Sequence, residues 1–128
     1  MRQHSVDYLA KAGPRLRDMG FRQMKMQCGS EPTMAASIER VRVMREAIGP
    51  DIDLMCDINQ LWSVHHAIDV GQRIADQHLF WLEDPTAHDD FAGLARVAEA
   101  LGAALNERGL RTRFVATGQT GIMIARHG

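Results

Sequence analysis

The sequence predicts a parallel α/β fold, and three observations carry that prediction. Short apolar runs alternate with amphipathic stretches of helical period. Each apolar run ends on a polar or charged residue. Those terminal residues, Lys25, Asp57 and Glu83, recur at intervals of 32 and 26 residues. A (β/α)8 barrel of about 250 residues allots about 31 residues to each strand–helix unit. The expected architecture is therefore a partial (β/α)8 TIM-barrel, about three βα units plus a divergent fourth strand. Three units are too few to close a barrel. An open doubly wound sheet would alternate in the same way, but no strand here is followed by the glycine-rich phosphate turn of such folds.

Each element has its own signal. "GFRQMKMQ" (Gly20 to Gln27) reads as a strand with apolar Phe21, Met24 and Met26 and no helix cap. "TMAASIERVRVMREAIGP" reads as a helix with Met34, Ile38, Val41 and Ile48 on one face, stopped by Gly49 and Pro50. "DLMC" is a short strand ending at Asp57. Ser63 caps a second helix running to about Gln77, with Ala67, Val70 and Ile74 turned inward. "LFWL" is a strand delivering Glu83, and Asp89 or Asp90 caps a third helix carrying Phe91, Leu94, Val97 and Leu101. "FVA" ends a last strand near Thr117. The strands are continuously apolar, as expected where helices cover their outer faces.

Composition narrows the function classes. The 128 residues are 45% hydrophobic and 24% charged, as in one ordinary globular unit. A net charge of −1 gives no reason to expect nucleic acid or an anionic membrane as partner. No apolar run approaches the roughly 18–20 residues that span a bilayer, and the N-terminus lacks the apolar core of a signal peptide. Cys28 and Cys56 make no disulfide framework and suit a reducing cytoplasm. His65 and His66, adjacent on a helix, point in different directions and read as solvated surface residues. Trp62 and Trp81 read as packing residues, with Trp62 close enough to Asp57 to wall a pocket.

Parallel folds of either subtype bind ligands at the C-terminal ends of their strands. Lys25, Asp57, Asn59 and Glu83 are therefore expected to converge. Two carboxylates on neighbouring strands suit Mg2+, a hard cation that takes oxygen ligands and keeps some of its waters. Lysine suits an anionic group of a substrate. The combination points to a metal that polarises a carboxylate while a base removes the adjacent proton. The competing reading makes the two acids helix caps or loop acids, and each acid taken singly fits that better.

The segments "GFRQMKMQCG", "RVRVMREAIGPDIDLMCDINQLW" and "FWLEDPTAHDDFAGLARVAEAL" resemble the barrel domain of the enolase superfamily, in its mandelate racemase and muconate-lactonizing branch. The likeness runs from about Leu9 to Leu101. It implies that Asp57 and Glu83 are two of three Mg2+ ligands and that Asn59 touches substrate. It also implies that Lys25 is the first lysine of a Lys-x-Lys motif and faces the carboxylate of a hydroxy acid or sugar acid. The second lysine, a base in the family, is Gln27 here, and glutamine cannot abstract a proton. The third metal ligand is expected in a segment like "ATGE". This chain has "VATGQT", with Gln119 in that place.

The segment 1–101 thus reads as a partial barrel domain and 102–128 as a divergent tail, with a fusion junction between about Ala95 and Ala104. The tail segment "ALNERGLRTRFVATGQTGIMIA" resembles an internal piece of a P-loop-type family, some members of which are amino-acid N-acyltransferases. Two functions follow as expectations: a Mg2+-dependent racemase or dehydratase, or a non-catalytic fragment that forms a homo-oligomer through open strand edges.

Overall fold

The computed structural model describes residues 3–107, 111–117 and 121–127, with side chains for residues 3–104. Its elements are α1 (Val6–Asp18), β1 (Gln23–Gln27), α2 (Met34–Ile48), β2 (Asp53–Asp57), α3 (Val64–Arg73), a 3-10 turn (Ala75–Gln77), β3 (Trp81–Glu83), α4 (Phe91–Glu107), β4 (Arg111–Thr117) and β5 (Gly121–His127). The sheet order is β1-β2-β3-β5-β4.

β1, β2 and β3 are parallel and adjacent in chain order. Right-handed crossovers between successive neighbours put every connecting helix on the same side of the sheet. One sheet face accordingly buries Met24, Met26, Leu54, Cys56 and Leu82 in a single cluster with Val41, Met44, Ile48, Ala67, Val70, Ile74, Val97 and Leu101 of the helices. The residues between them, among them Lys25, Gln27, Asp57, Trp81 and Glu83, lie on the opposite face because successive strand side chains alternate. The chemistry-bearing residues are thus on the side away from the helices.

Local chemistry sets the helix boundaries. The hydroxyl of Thr33 accepts the Ala36 amide at the start of α2, and that of Ser63 accepts the His66 amide at the start of α3. Gly49 closes α2 at φ 81°, a left-handed value that glycine adopts without steric cost. Arg45, in the last turn of α2, donates to the carbonyls of Gly49, Ile52, Gln77 and His78 and ties together the end of the sheet remote from Asp57 and Glu83. Helix α3 stops at Arg73 rather than near Gln77, and the 3-10 turn occupies the difference. The α4 cap is Asp90, whose carboxylate accepts the Gly93 amide at 2.8 Å. Leu94, Val97 and Leu101 are buried as expected, but Phe91 stands 77% exposed.

Helix α1 was not expected from the sequence. Ser5 caps it, Asp7 lies in its first turn and Arg15 and Arg17 in its last, an arrangement that complements the helix dipole. Only Leu9 and Gly13 of this helix are buried, although Val6, Leu9, Ala10, Gly13 and Leu16 recur at helical spacing in the sequence.

The fourth strand departs from the barrel expectation. β4 does not pair with β3; β5 does, and it runs antiparallel, with Trp81 opposite Ala125 and Glu83 opposite Met123. β4 and β5 are themselves antiparallel. Strands separated by only residues 118–120 have too little chain between them for a parallel crossover, so they form a hairpin. The outer edge of β3 is thereby taken by β5, and the open edge of the parallel strands is that of β1.

Close packing of α3 on α4 depends on Gly71. A Cβ there would lie 2.6 and 2.8 Å from the two terminal methyls of Leu101. Gly71→Ala is expected to cost about 1–3 kcal/mol through overpacking. Urea unfolding followed by circular dichroism checks this, and an unchanged midpoint would refute it.

Candidate functional site at the strand tips

β1, β2 and β3 end in register: Gln27 is level with Asp57, and Asp57 is level with Glu83. The ladder continues beyond the strands, since the Cys28 amide donates to the Asp57 carbonyl and the Ile58 amide to that of Glu83. Neighbouring parallel strands lie about 4.8 Å apart, so the two carboxylates stand side by side on a rigid support. Lys25 is two residues earlier on β1 and shares their face. Its Nζ lies 3.0 Å from Glu83 Oε2 and 3.5 Å from Asp57 Oδ2. The Glu83 hydrogen bond holds the lysine above its ordinary pKa, against the opposing effect of partial burial. The carboxylates are sheltered, at 15% and 25% side-chain exposure against 45% for the lysine.

The second oxygen of Asp57 is also held. Oδ1 accepts the backbone amide of Asn59 at 3.1 Å, the local turn that aspartate makes with the residue two positions on. Asn59, Gln60 and Asp84 all have positive φ, at 54°, 64° and 46°. A left-handed backbone at a non-glycine residue costs on the order of 1–3 kcal/mol, and such residues gather where a site imposes them. Here Asp84 directly follows Glu83, and Asn59 and Gln60 lie two and three residues after Asp57. The Gln60 amide donates to the Asp84 carbonyl at 2.8 Å and links the two loops.

The structure thus brings together Lys25, Asp57 and Glu83, with Gln27 in their register row and Asn59 bonded through its backbone. Gln119 lies outside the described residues. Among the described residues, no group of three His, Cys, Asp or Glu is placed to share a metal ion. Two carboxylates fit one edge of a hard cation that keeps several waters. The ammonium in contact with both shows that a positive charge can reach the two at once.

Several residues at or behind the tips were not anticipated from sequence. His88 donates its amide and its ring Nδ1 to Gln60 Oε1 at 3.0 and 2.7 Å, joining the loops after β2 and β3. An amide oxygen only accepts, so Nδ1 carries the hydrogen. Arg40, buried in α2, pairs with Glu31 and donates to the carbonyl of Gln27 at the end of β1. The signal for both was position alone, in or against loops that follow strand ends. His66, expected in solvent, stacks on Trp62 at 5.0 Å, and burial lowers its pKa. Trp62 is a core residue, 5% exposed. Cys28 and Cys56 are free and buried. Burial, and then the Cys28 hydrogen bond, push the Cys56 thiol well up, so it is inert.

The model of the family described as "Enolase C-terminal domain-like" matches residues 7–120. The chain is 39% identical over 83 residues to the 3,6-anhydro-alpha-L-galactonate cycloisomerase of Streptomyces coelicolor, covering 65% of this chain and 23% of that protein. It is 34% identical over 98 residues to the L-talarate/galactarate dehydratase of Salmonella typhimurium, covering 77% and 24%. A racemase from Streptomyces coelicolor, solved with bound magnesium, superposes with a TM-score of 0.70 at 36% identity over 77% of this chain and 27% of that one. The chain therefore spans about a quarter of these relatives. The match of more than half its length, together with a tip geometry that sets two acids in register on adjacent parallel strands, places the chain in the enolase C-terminal domain-like family.

Proposed function

We propose that Asp57 and Glu83 hold Mg2+ in a protein that removes the proton adjacent to the carboxylate of a sugar acid or hydroxy acid, as a dehydratase or racemase. The observation that carries this reading is the in-register carboxylate pair with the Lys25 ammonium within 3.5 Å of both acids. Bound Mg2+ would supply the charge that stabilises an enolate-like transition state, worth several kcal/mol. The chain's own residues do the rest. Asp57 is oriented by the Asn59 amide; Lys25 orients the carboxylate of the substrate; Asn59, exposed at the β2 tip, contacts its hydroxyls. Gln27 has no basic atom, so it is not the group that removes the proton. The names of the relatives, which include sugar-acid dehydratases such as the arabinonate dehydratase of Saccharolobus solfataricus, support the substrate class.

A saturable rise in melting temperature with MgCl2, absent with equal ionic strength of NaCl, is the expected result. At 100 times the dissociation constant, binding adds about 2.7 kcal/mol of stability. No rise at 10 mM MgCl2 would overturn the reading.

A second reading, a homo-oligomeric fragment without catalysis, is favoured by one feature. The open edge of β1 adjoins a cavity of about 550 Å3 lined by residues that include Tyr8, Leu16, Phe21, Met24 and Met44, and Tyr8 and Phe21 are each 51% exposed. The expected junction between Ala95 and Ala104 also stands as a proposal. The change from parallel to antiparallel pairing after α4 speaks for it, and the family match, which runs on to residue 120, speaks against it.

A further inference from the structure

The Lys25 ammonium contacts the one oxygen of Asp57 not already held by the Asn59 amide, and it contacts Glu83 at the same time. Each acid has a second oxygen, but a divalent cation seated between the two acids on the Lys25 side uses the same ones, Asp57 Oδ2 and Glu83 Oε2. Lys25 and a cation so placed compete for one position. We propose that Lys25 is the built-in counter-ion of the carboxylate pair, and that Mg2+ binds only by displacing its ammonium. This rests on the Mg2+ reading above.

Like charges directly opposite each other on adjacent strands destabilise a sheet. Asp57 and Glu83 are such a pair by register, and the ammonium neutralises one of their two charges. That keeps the two side chains ordered on the strand tips, side by side as a metal needs. The cost is affinity, because the energy of the two ion pairs must be given up when Mg2+ enters. The displaced ammonium is then free for an anionic ligand. By linkage, an anion that accepts this ammonium raises the affinity for Mg2+, and Mg2+ raises the affinity for the anion by the same factor. Lys25 would thus couple metal and substrate binding, holding the affinity for metal alone low.

The test is Mg2+ titration calorimetry on the wild-type chain, Lys25→Met and Lys25→Arg, with melting temperatures recorded in EDTA and in saturating MgCl2. Lys25→Met is expected to bind Mg2+ roughly tenfold more tightly, the effect of removing a unit positive charge a few Å from a divalent ion. It is expected to melt lower than wild type in EDTA and to recover the difference in MgCl2. Lys25→Arg, which keeps the charge, is expected to bind no more tightly than wild type. Lys25 is partly exposed, so these variants should fold; Lys25→Gln repeats the comparison if the methionine variant does not. Wild-type binding with unchanged or weaker binding by the neutral variants overturns the counter-ion role alone. Failure of every protein to bind Mg2+ overturns the metal reading, and this inference with it.

Discussion

Arg40→Ala is expected to destabilise the protein by about 3–5 kcal/mol, the cost of breaking a buried ion pair by removing one partner. Arg40 and Glu31 have side chains only 3% and 7% exposed, with Arg40 Nε 3.3 Å from Glu31 Oε1. The guanidinium also donates to the Gln27 carbonyl at 2.8 Å and to the His4 carbonyl at 2.7 Å. Glu31 accepts from the Gly29 amide, the Ser37 hydroxyl and the Gln3 side-chain amide. Truncation would leave a buried carboxylate without a cation and two carbonyls without these donors. Since globular domains have only about 5–15 kcal/mol of net stability, this single change approaches the unfolding threshold. Urea denaturation gives the measurement; a loss under 1 kcal/mol would show that the network contributes little. Removing both charges together, as in Arg40→Met with Glu31→Gln, should recover much of the loss.

That network also helps explain how the site is held. It joins the N-terminal segment, the end of β1, the following loop and α2 at one point, one strand residue beyond Met26 and two beyond Lys25. The lysine thus sits on a strand whose end is anchored from behind.

Some of this was legible in the sequence and some was not. The strand tips were, because a buried parallel strand reads as an apolar run and its end as the first polar residue. Asp57 and Glu83 were located that way; Lys25, expected at a tip, lies in the middle of β1, whose side chains alternate, and reaches them because it shares their face. Ser63 and Gly49 were readable because capping is a local, residue-specific interaction. Helix α1 carries the same kind of signal, a Ser5 cap before Val6, Leu9, Ala10, Gly13 and Leu16 at helical spacing, but Pro14 in its middle is a residue that normally ends a helix. The hairpin was missed for a different reason. "VATGQTGI" contains a glycine-rich turn between two β-rich runs, which is a hairpin signal, but the expected fifth-strand ligand drew it into a parallel frame. Arg40 and Glu31 were invisible as a pair because nothing local specifies which charged residues of an amphipathic helix turn inward. Pairing across a fold is a tertiary property, and a lone sequence shows only the candidates.

The most consequential change at the site is Glu83→Gln, which is expected to weaken Mg2+ binding by roughly 100-fold, the Coulomb effect of removing one of two adjacent negative charges from a divalent ion. The substitution is nearly isosteric and Glu83 is 25% exposed, so the folded state should persist with a change in stability below about 1 kcal/mol. Lys25 would lose its 3.0 Å partner and keep only Asp57, which leaves the remaining acid fully neutralised and still less available to a metal. The variant therefore acts twice, by deleting a ligand and by leaving the ammonium unopposed on the other. Combining Glu83→Gln with Lys25→Met separates the two effects: affinity should recover partly but stay below that of Lys25→Met alone. Titration calorimetry on the four proteins closes a double-mutant cycle whose coupling energy measures the interaction directly. If Glu83→Gln binds Mg2+ as wild type does, Glu83 is no ligand and the β3 tip serves only to turn the chain.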